Sequence, residues 1–234
     1  MNNTTKLITR PHASPKTIKS LYYGYANFIM YLAPWKISGF NTCSNATDGC
    51  INSCLYNAGR GRFSNVQQAR INRTRFFYKD RNGFLNKLHD EIQLNINWAI
   101  KRDLTPVFRL NGTSDIRWEL YGIFEQYPEI TFYDYTKIIN RKNLPANYHL
   151  TFSRAESNQK NVLKAIDRGL NVAAVFNGQL PKTYLGRKVI NGDKHDLRFL
   201  DPENIIVGFS AKGPAKKDKS GFVIHNAAKM QLGA

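Results

Sequence analysis

Short β-prone runs separated by long connections recur along this chain, and that alternation constrains the fold more than any other feature. The runs fall at residues 28–32, 106–110, 130–135, 148–152, 171–176 and 204–209. Residues 65–77 have helical composition, and 116–127 and 158–168 carry helix-like patterning, so helices separate most of the strands. Parallel neighbours need such crossovers, whereas two-residue turns would have implied hairpins. The expected class is α/β, and six units fit an incomplete (β/α)6 TIM-like barrel of mostly parallel strands, with a doubly wound open sheet as the alternative. In both architectures ligands collect at the carboxyl ends of the strands.

All three cysteines lie within twelve residues, as Cys43, Cys50 and Cys54, in a loop that follows the first strand and leads into a helix. An odd count with no secretory signal argues against disulfides, which leaves thiolates available as soft ligands. Cys50 and Cys54 share a face if the first helical turn begins between them, and the loop through Asn45, Asp48 and Gly49 returns Cys43 to the same point. Structural zinc usually takes paired C-x2-4-C knuckles, and there is no second pair here. Three thiolates from one loop suit a [4Fe-4S] cluster whose fourth iron is open or held by another ligand. Zinc with a distant His or Asp, or buried thiols with no metal, are the competing readings.

The 234 residues are enough for one domain with a sizeable core. They are expected to divide into a basic segment at 1–26, a single α/β domain at 27–224 and a tail at 225–234. No apolar run reaches membrane-span length, so no membrane partner is expected. The formal net charge is +17. Lys6, Arg10, Lys16, Lys19 and Lys36 stand in residues 1–36 without an acid, and Arg60, Arg62, Arg70, Arg73, Arg75, Lys79 and Arg81 stand near Asp80 alone. Lys212, Lys216, Lys217 and Lys219 form a third cluster beside Asp218. Such patches favour nucleic acid or another polyanion, and ordinary solvated surface is the alternative. Helical spacing puts Arg62, Arg70 and Arg73 on one side of the helix after Cys54, with Phe63, Val66 and Ile71 supplying apolar contacts elsewhere.

The strand-end rule nominates a set of site residues. Arg109, Asn111, Thr113, Asp115, Ser153, Arg154 and Lys212 are the expected substrate-binding residues on the cysteine side of the sheet, Arg109 being suited to bidentate contact with phosphate or carboxylate or else to a structural ion pair. Asp134, Lys137 and His195 are the catalytic candidates. Asp134 interrupts an apolar strand and serves equally well as a cap or as an ion-pair partner of Lys137. His195, flanked by Asp193 and Asp196, suits an acid, a base or a fourth metal ligand, and a plain surface loop is its alternative. Gly59 and Gly61 do not make a phosphate loop.

Several short motifs occur in order: Asn41-Thr-Cys43, Arg109-Leu-Asn-Gly112, Phe132-Tyr-Asp-Tyr-Thr-Lys137, His195-Asp-Leu-Arg-Phe-Leu-Asp201 and Lys216-Lys-Asp-Lys-Ser-Gly-Phe222. Together they resemble the bacteriophage proteins of the gene-product-eighty-eight type over roughly residues 27–224. More remotely, three cysteines directly after the first strand of a six-strand barrel are similar to radical S-adenosylmethionine (SAM) enzymes, although the spacing departs from C-x3-C-x2-C. The first resemblance implies a phage protein working in the host cytoplasm. The second implies a radical-SAM-like enzyme with SAM on the open iron, and the arginines adjoining the cysteine loop point to a nucleotide or nucleic acid as its substrate. A non-catalytic module that binds nucleic acid or a host protein through a metal-stapled loop, and a virion assembly protein, are the other classes.

Overall fold

The computed structural model describes residues 6–13 and 15–225; the side chains of Pro15 and Lys16 and the tail from 226 onward lie outside the described residues. Ten strands are β1 (Ile8–Thr9), β2 (Tyr25–Met30), β3 (Thr105–Arg109), β4 (Thr131–Thr136), β5 (Tyr148–Ser153), β6 (Val172–Phe176), β7 (Thr183–Tyr184), β8 (Arg187–Asn191), β9 (Ile206–Ser210) and β10 (Val223–Ile224). Five α-helices are α1 (Pro15–Leu21), α2 (Asp48–Asn52), α3 (Ser64–Lys79), α4 (Arg81–Ile100) and α5 (Gln159–Asp167). Every expected run forms a strand: β2, β3, β4, β5, β6 and β9 are neighbours in chain order and parallel throughout.

The sheet does not close, which corrects the barrel expectation. Antiparallel β1 covers one edge beside β2, while β8 pairs with the free side of β9 and carries β7 as a hairpin. With β8 in that position β9 cannot return to β2. Helices are also fewer than a repeating βα unit needs. The expected helix at 116–127 is two short 3-10 turns, Trp118–Tyr121 and Phe124–Gln126, split by Gly122 at φ 64°. Trp118 and Phe124 drive inward there at 0% exposure, so packing overrides the local pattern.

One face of the sheet carries a ladder of aromatic rings. Phe28, Phe108 and Phe132 lie in register across three strands, with centroids 5.0 and 5.6 Å apart, in the same core as Phe84, Leu88 and Ile92 of α4. Burying each such ring contributes roughly 2–3 kcal/mol. On the opposite face Leu197 and Phe199 pack over Val107, Tyr133 and Tyr25. Leu7 and Ile8, in the basic N-terminal segment, are buried core residues. Their backbone N–H groups donate to the Glu91 carboxylate at 2.8–3.0 Å. That contact satisfies N–H groups of the short edge strand, a device that blunts edge pairing.

The last strand has a particular consequence. β9 runs along all of β6, whereas β5 pairs only with Val172 and Ala173, and β10 pairs with Val175 and Phe176. β10 therefore occupies the edge of β6 that β5 leaves at its carboxyl end. It brings residues 218–222 to the same end of the sheet as the cysteine loop.

Candidate functional site

The cysteine loop leaves β2 and is held down by three strand-end loops that are distant in sequence. Asp115 N–H donates to the Thr42 carbonyl at 2.8 Å, and the Cys43 thiol faces the Thr113 carbonyl at 3.7 Å. Asn45 Nδ2 donates to the Lys137 carbonyl at 3.0 Å. Glu156 accepts from Thr47 Oγ1 and from Gly49 N–H, both at 2.7 Å. The loops after β3, β4 and β5 thus meet the cysteines on one face, as the strand-end rule requires.

α2 starts earlier than the cysteine spacing implies. Thr47 is its N-cap, with Oγ1 accepting from Cys50 N–H, and the helix ends at Ser53. Cys50 is therefore inside the helix while Cys54 lies beyond it in extended conformation, so the two do not share a helical face. Glu156 adds negative charge at the helix start, where backbone N–H groups are otherwise unpaired. Gly49 is tight for another reason: a Cβ there would stand 2.1 Å from Ser220 Oγ and 2.7 Å from Phe222 Cβ. Gly49→Ala is expected to lever residues 218–222 off α2. The melting temperature should fall by several degrees, and limited proteolysis should cut the C-terminal segment faster than in wild type. Unchanged cleavage would show that this contact does not secure the segment.

Burial and one nearby cation, Lys137, act against each other at the thiols, and burial prevails. Burial pushes the Cys43 thiol up, and burial pushes Cys54 up to about 11. Lys137, half-buried just past the end of β4, is close enough to Cys50 for the two to interact electrostatically. Its own burial works to lower its pKa, but Cys50, Asp115 and Cys43 outweigh that and leave it raised. Arg70 of α3 is 7% exposed and lies between the rings of Tyr31 and Tyr56, 4.8 and 5.6 Å from their centroids. Its Nε and Nη1 have no hydrogen-bond partner, and Cys54 is among the groups whose charge it feels. A buried guanidinium without a counter-charge is costly, and negative charge on Cys54 would relieve it.

The other nominated residues divide clearly. Asn111 is a buried hub: it donates to Asp134 twice and to the Ile116 carbonyl, and its Oδ1 accepts from Ser114, Ile116 and Trp118. Thr113 Oγ1 donates to the Leu32 carbonyl, and Asp115 accepts from Thr136 Oγ1 and Lys137 N–H at 2.8 Å each. Arg109, nominated for substrate binding, pairs with Asp196 at 2.9 Å over the Tyr135 ring, which is the structural ion pair weighed as its alternative. Arg154 Nη1 donates to the carbonyls of Gly221 and Phe222, the half-buried Ser153 gives its carbonyl to Asn158 Nδ2, and Lys212 pairs with Asp193 at 2.5 Å. Asp134, a catalytic candidate by sequence, is 0% exposed and accepts from Asn111 and Tyr148, so it anchors the loop after β3. His195 contacts Tyr23, in the turn before β2, and Arg198, whereas the cysteines follow β2.

The expected arginine face is also rearranged. Arg62 is exposed, but Arg70 is turned inward and Arg73 donates to the carbonyls of Lys6 and Tyr31. Phe63, expected to pack, is 51% exposed. The buried stripe of α3 is Arg70, Thr74 and Phe77. Glu156, Tyr31 and the buried Arg141–Glu119 pair were not singled out by the sequence reading. Glu156 lies 109 residues from Thr47, so no local spacing could have linked them.

Fold and site together define an open, mostly parallel α/β protein whose strand-end loops clamp a three-cysteine loop beside two buried or half-buried cations. Residues 2–226 match the gene product 88 family, and the chain belongs to that bacteriophage family. No curated protein and no solved structure matches it, and the likeness to radical SAM enzymes has no match behind it. Among the described residues no helix is long and apolar enough to cross a membrane.

Proposed function

We propose that this phage protein carries a [4Fe-4S] cluster on Cys43, Cys50 and Cys54, and that it acts on a nucleotide or nucleic acid bound against the same loop. The observation that carries this reading is the clamp: all three thiols of the chain sit on one loop, tied to three strand ends, with Lys137 against Cys50 and unpartnered Arg70 near Cys54. Among the described residues no three histidine, cysteine or acidic side chains form a group that could hold a metal ion.

When bound, the cluster supplies an open iron that serves as a Lewis acid or an electron donor. The chain's own residues do the rest. Lys137 and Arg70 offset the negative charge of the thiolates, and the Thr113 carbonyl and Thr42 N-terminal to Cys43 fix that thiol's approach. Three unpaired thiols suit the reducing host cytoplasm. SAM is the first ligand to titrate against the open iron.

Anaerobic reconstitution should give about four irons and four sulfides per chain. An electron paramagnetic resonance signal of the reduced protein that changes on adding SAM supports the radical-SAM-like reading. A colourless protein with one zinc per chain would overturn the cluster. A cluster indifferent to SAM, in a protein whose nucleic-acid binding survives cluster oxidation, would instead mark the non-catalytic binding module.

A further inference from the structure

Lys6 and Arg10 of the first basic cluster and Arg73 of the second, more than sixty residues further on, border one groove along the β1 edge of the sheet. Two adjoining cavities of about 270 and 510 Å³ share Lys6 and Arg10 as walls. Lys87 borders the first, and Arg73, His12 and Trp98 border the second. Glu91 is the one acid among the lining residues, and its carboxylate is turned to the N–H groups of Leu7 and Ile8, with Lys87 3.6 Å away. The four cations therefore set the sign of the groove.

The groove is also ordered before any ligand arrives. Arg10 lies over the Trp98 ring at 5.4 Å, and its Nε donates to Asn95 Oδ1 at 3.1 Å. Arg102 lies over the same ring at 4.2 Å, and His12 meets its edge at 6.0 Å. Arg73 Nε donates to the Lys6 carbonyl at 2.6 Å, which ties the two clusters together. Guanidinium and imidazole planes held in this way present flat faces for bases, between cations that match phosphates.

We infer that this groove binds single-stranded nucleic acid, with Lys6, Arg10, Arg73 and Lys87 on the phosphates and Arg10 and His12 under the bases. A trough of about this volume accommodates a few nucleotides of one strand. The inference is independent of the cysteine site, since none of these residues touches that loop's thiols.

The test uses the full-length protein and a fluorescein-labelled oligothymidine, read by anisotropy over a salt series. Wild type should bind, with affinity falling steeply as salt rises. The triple variant Lys6→Ala, Arg10→Ala, Lys87→Ala should bind at least tenfold more weakly, and its salt slope should drop by about two, at roughly 0.7 per lost phosphate contact. A control with the same charge change at exposed positions away from the groove, Arg62→Ala, Lys216→Ala, Lys217→Ala, should lose less than threefold. If the triple variant melts early, Lys6→Glu alone, at an exposed position, should weaken binding severalfold. Equal losses in the control and groove variants would overturn the assignment. So would an oligonucleotide that wild type ignores, or tighter binding of duplex or of anionic vesicles than of the single strand.

Discussion

Replacing Cys43, Cys50 or Cys54 singly with alanine is expected to strip the reconstituted protein of most of its iron and sulfide while leaving the iron-free fold nearly intact. Each thiol is only partly buried, so without the cluster its loss costs about 1 kcal/mol. With the cluster the cost is far larger, because a site that exists only in the folded chain converts binding energy into folding energy. The loaded wild type should therefore melt well above the iron-free protein, and each variant should melt near the iron-free value under both conditions. If all three variants keep full iron and the wild-type melting point, the ligand assignment is wrong.

Acidity sharpens this expectation. Burial holds Cys43 and Cys54 as thiols, Cys54 up to about 11, so loading must expel their protons. Cluster retention should weaken as pH falls, since protons then compete for the same sulfurs. For the iron-free protein the sign is opposite. A thiol whose pKa is raised by folding adds stability that is present below its unfolded value, near 8.5, and is lost as pH climbs through about 11. Iron-free protein should thus lose stability across that alkaline window, and Cys54→Ala should lose less.

Asp134→Ala is expected to be the most damaging single substitution outside the cysteines. It removes the acceptor for Asn111 N–H, Asn111 Nδ2 and Tyr148 Oη, at 2.8, 3.1 and 3.0 Å, in a place with no water access. At about 1–3 kcal/mol for each stranded donor, the loss should exceed 3 kcal/mol, a large share of a domain's stability. Asp134→Asn keeps one oxygen and should cost less than half as much. Burial pushes the Asp134 carboxyl up to about 7, against the pull of Arg109, the Asn111 N–H and Tyr148. Because that value is raised above the unfolded one, the group's contribution is complete near pH 4 and is lost as pH rises through about 7. Denaturant midpoints of wild type and Asp134→Asn measured from pH 5 to 8 should therefore converge toward high pH. Midpoints of Asp134→Ala within experimental error of wild type would remove Asp134 as the anchor of the Asn111 loop.

That anchor bears on the cysteines indirectly. Asn111 shapes the turn from which Thr113 reaches Leu32 and Cys43, and from which Asp115 reaches Thr42 and Lys137. Loosening it should cost cluster occupancy as well as stability. Activity-based screens alone would mistake such a variant for a catalytic one.

Much of this arrangement was legible in the chain. The six parallel strands follow from β-prone runs spaced too widely for hairpins, and parallel strands by their nature gather their carboxyl-end loops. The convergence of residues 111–115, 134–137 and 153–156 on Cys43, Cys50 and Cys54 needed nothing beyond that geometry. The family resemblance followed from ordered motifs whose residues are now seen to touch, such as Asn111 against Asp134 and Arg109 against Asp196.

Other features depended on contacts that no local pattern encodes. Nothing in the run of arginines distinguishes inward-facing Arg70 from exposed Arg62, because a long aliphatic stem lets either charge lie on a core or in water; the Tyr31 and Tyr56 rings decided it. Closure of the sheet was decided at its edges, where β8 took the side of β9 that a barrel would have joined to β2. The N-terminal segment reads as a basic extension until Glu91, more than eighty residues away, accepts its backbone N–H groups. Spacing and chemistry along the chain settled which loops would meet and what they carry, since parallel strands leave one place for their ends. Which side chains turn inward, and whether the sheet closes, were settled only by tertiary packing, because those outcomes rest on partners brought together from distant parts of the chain.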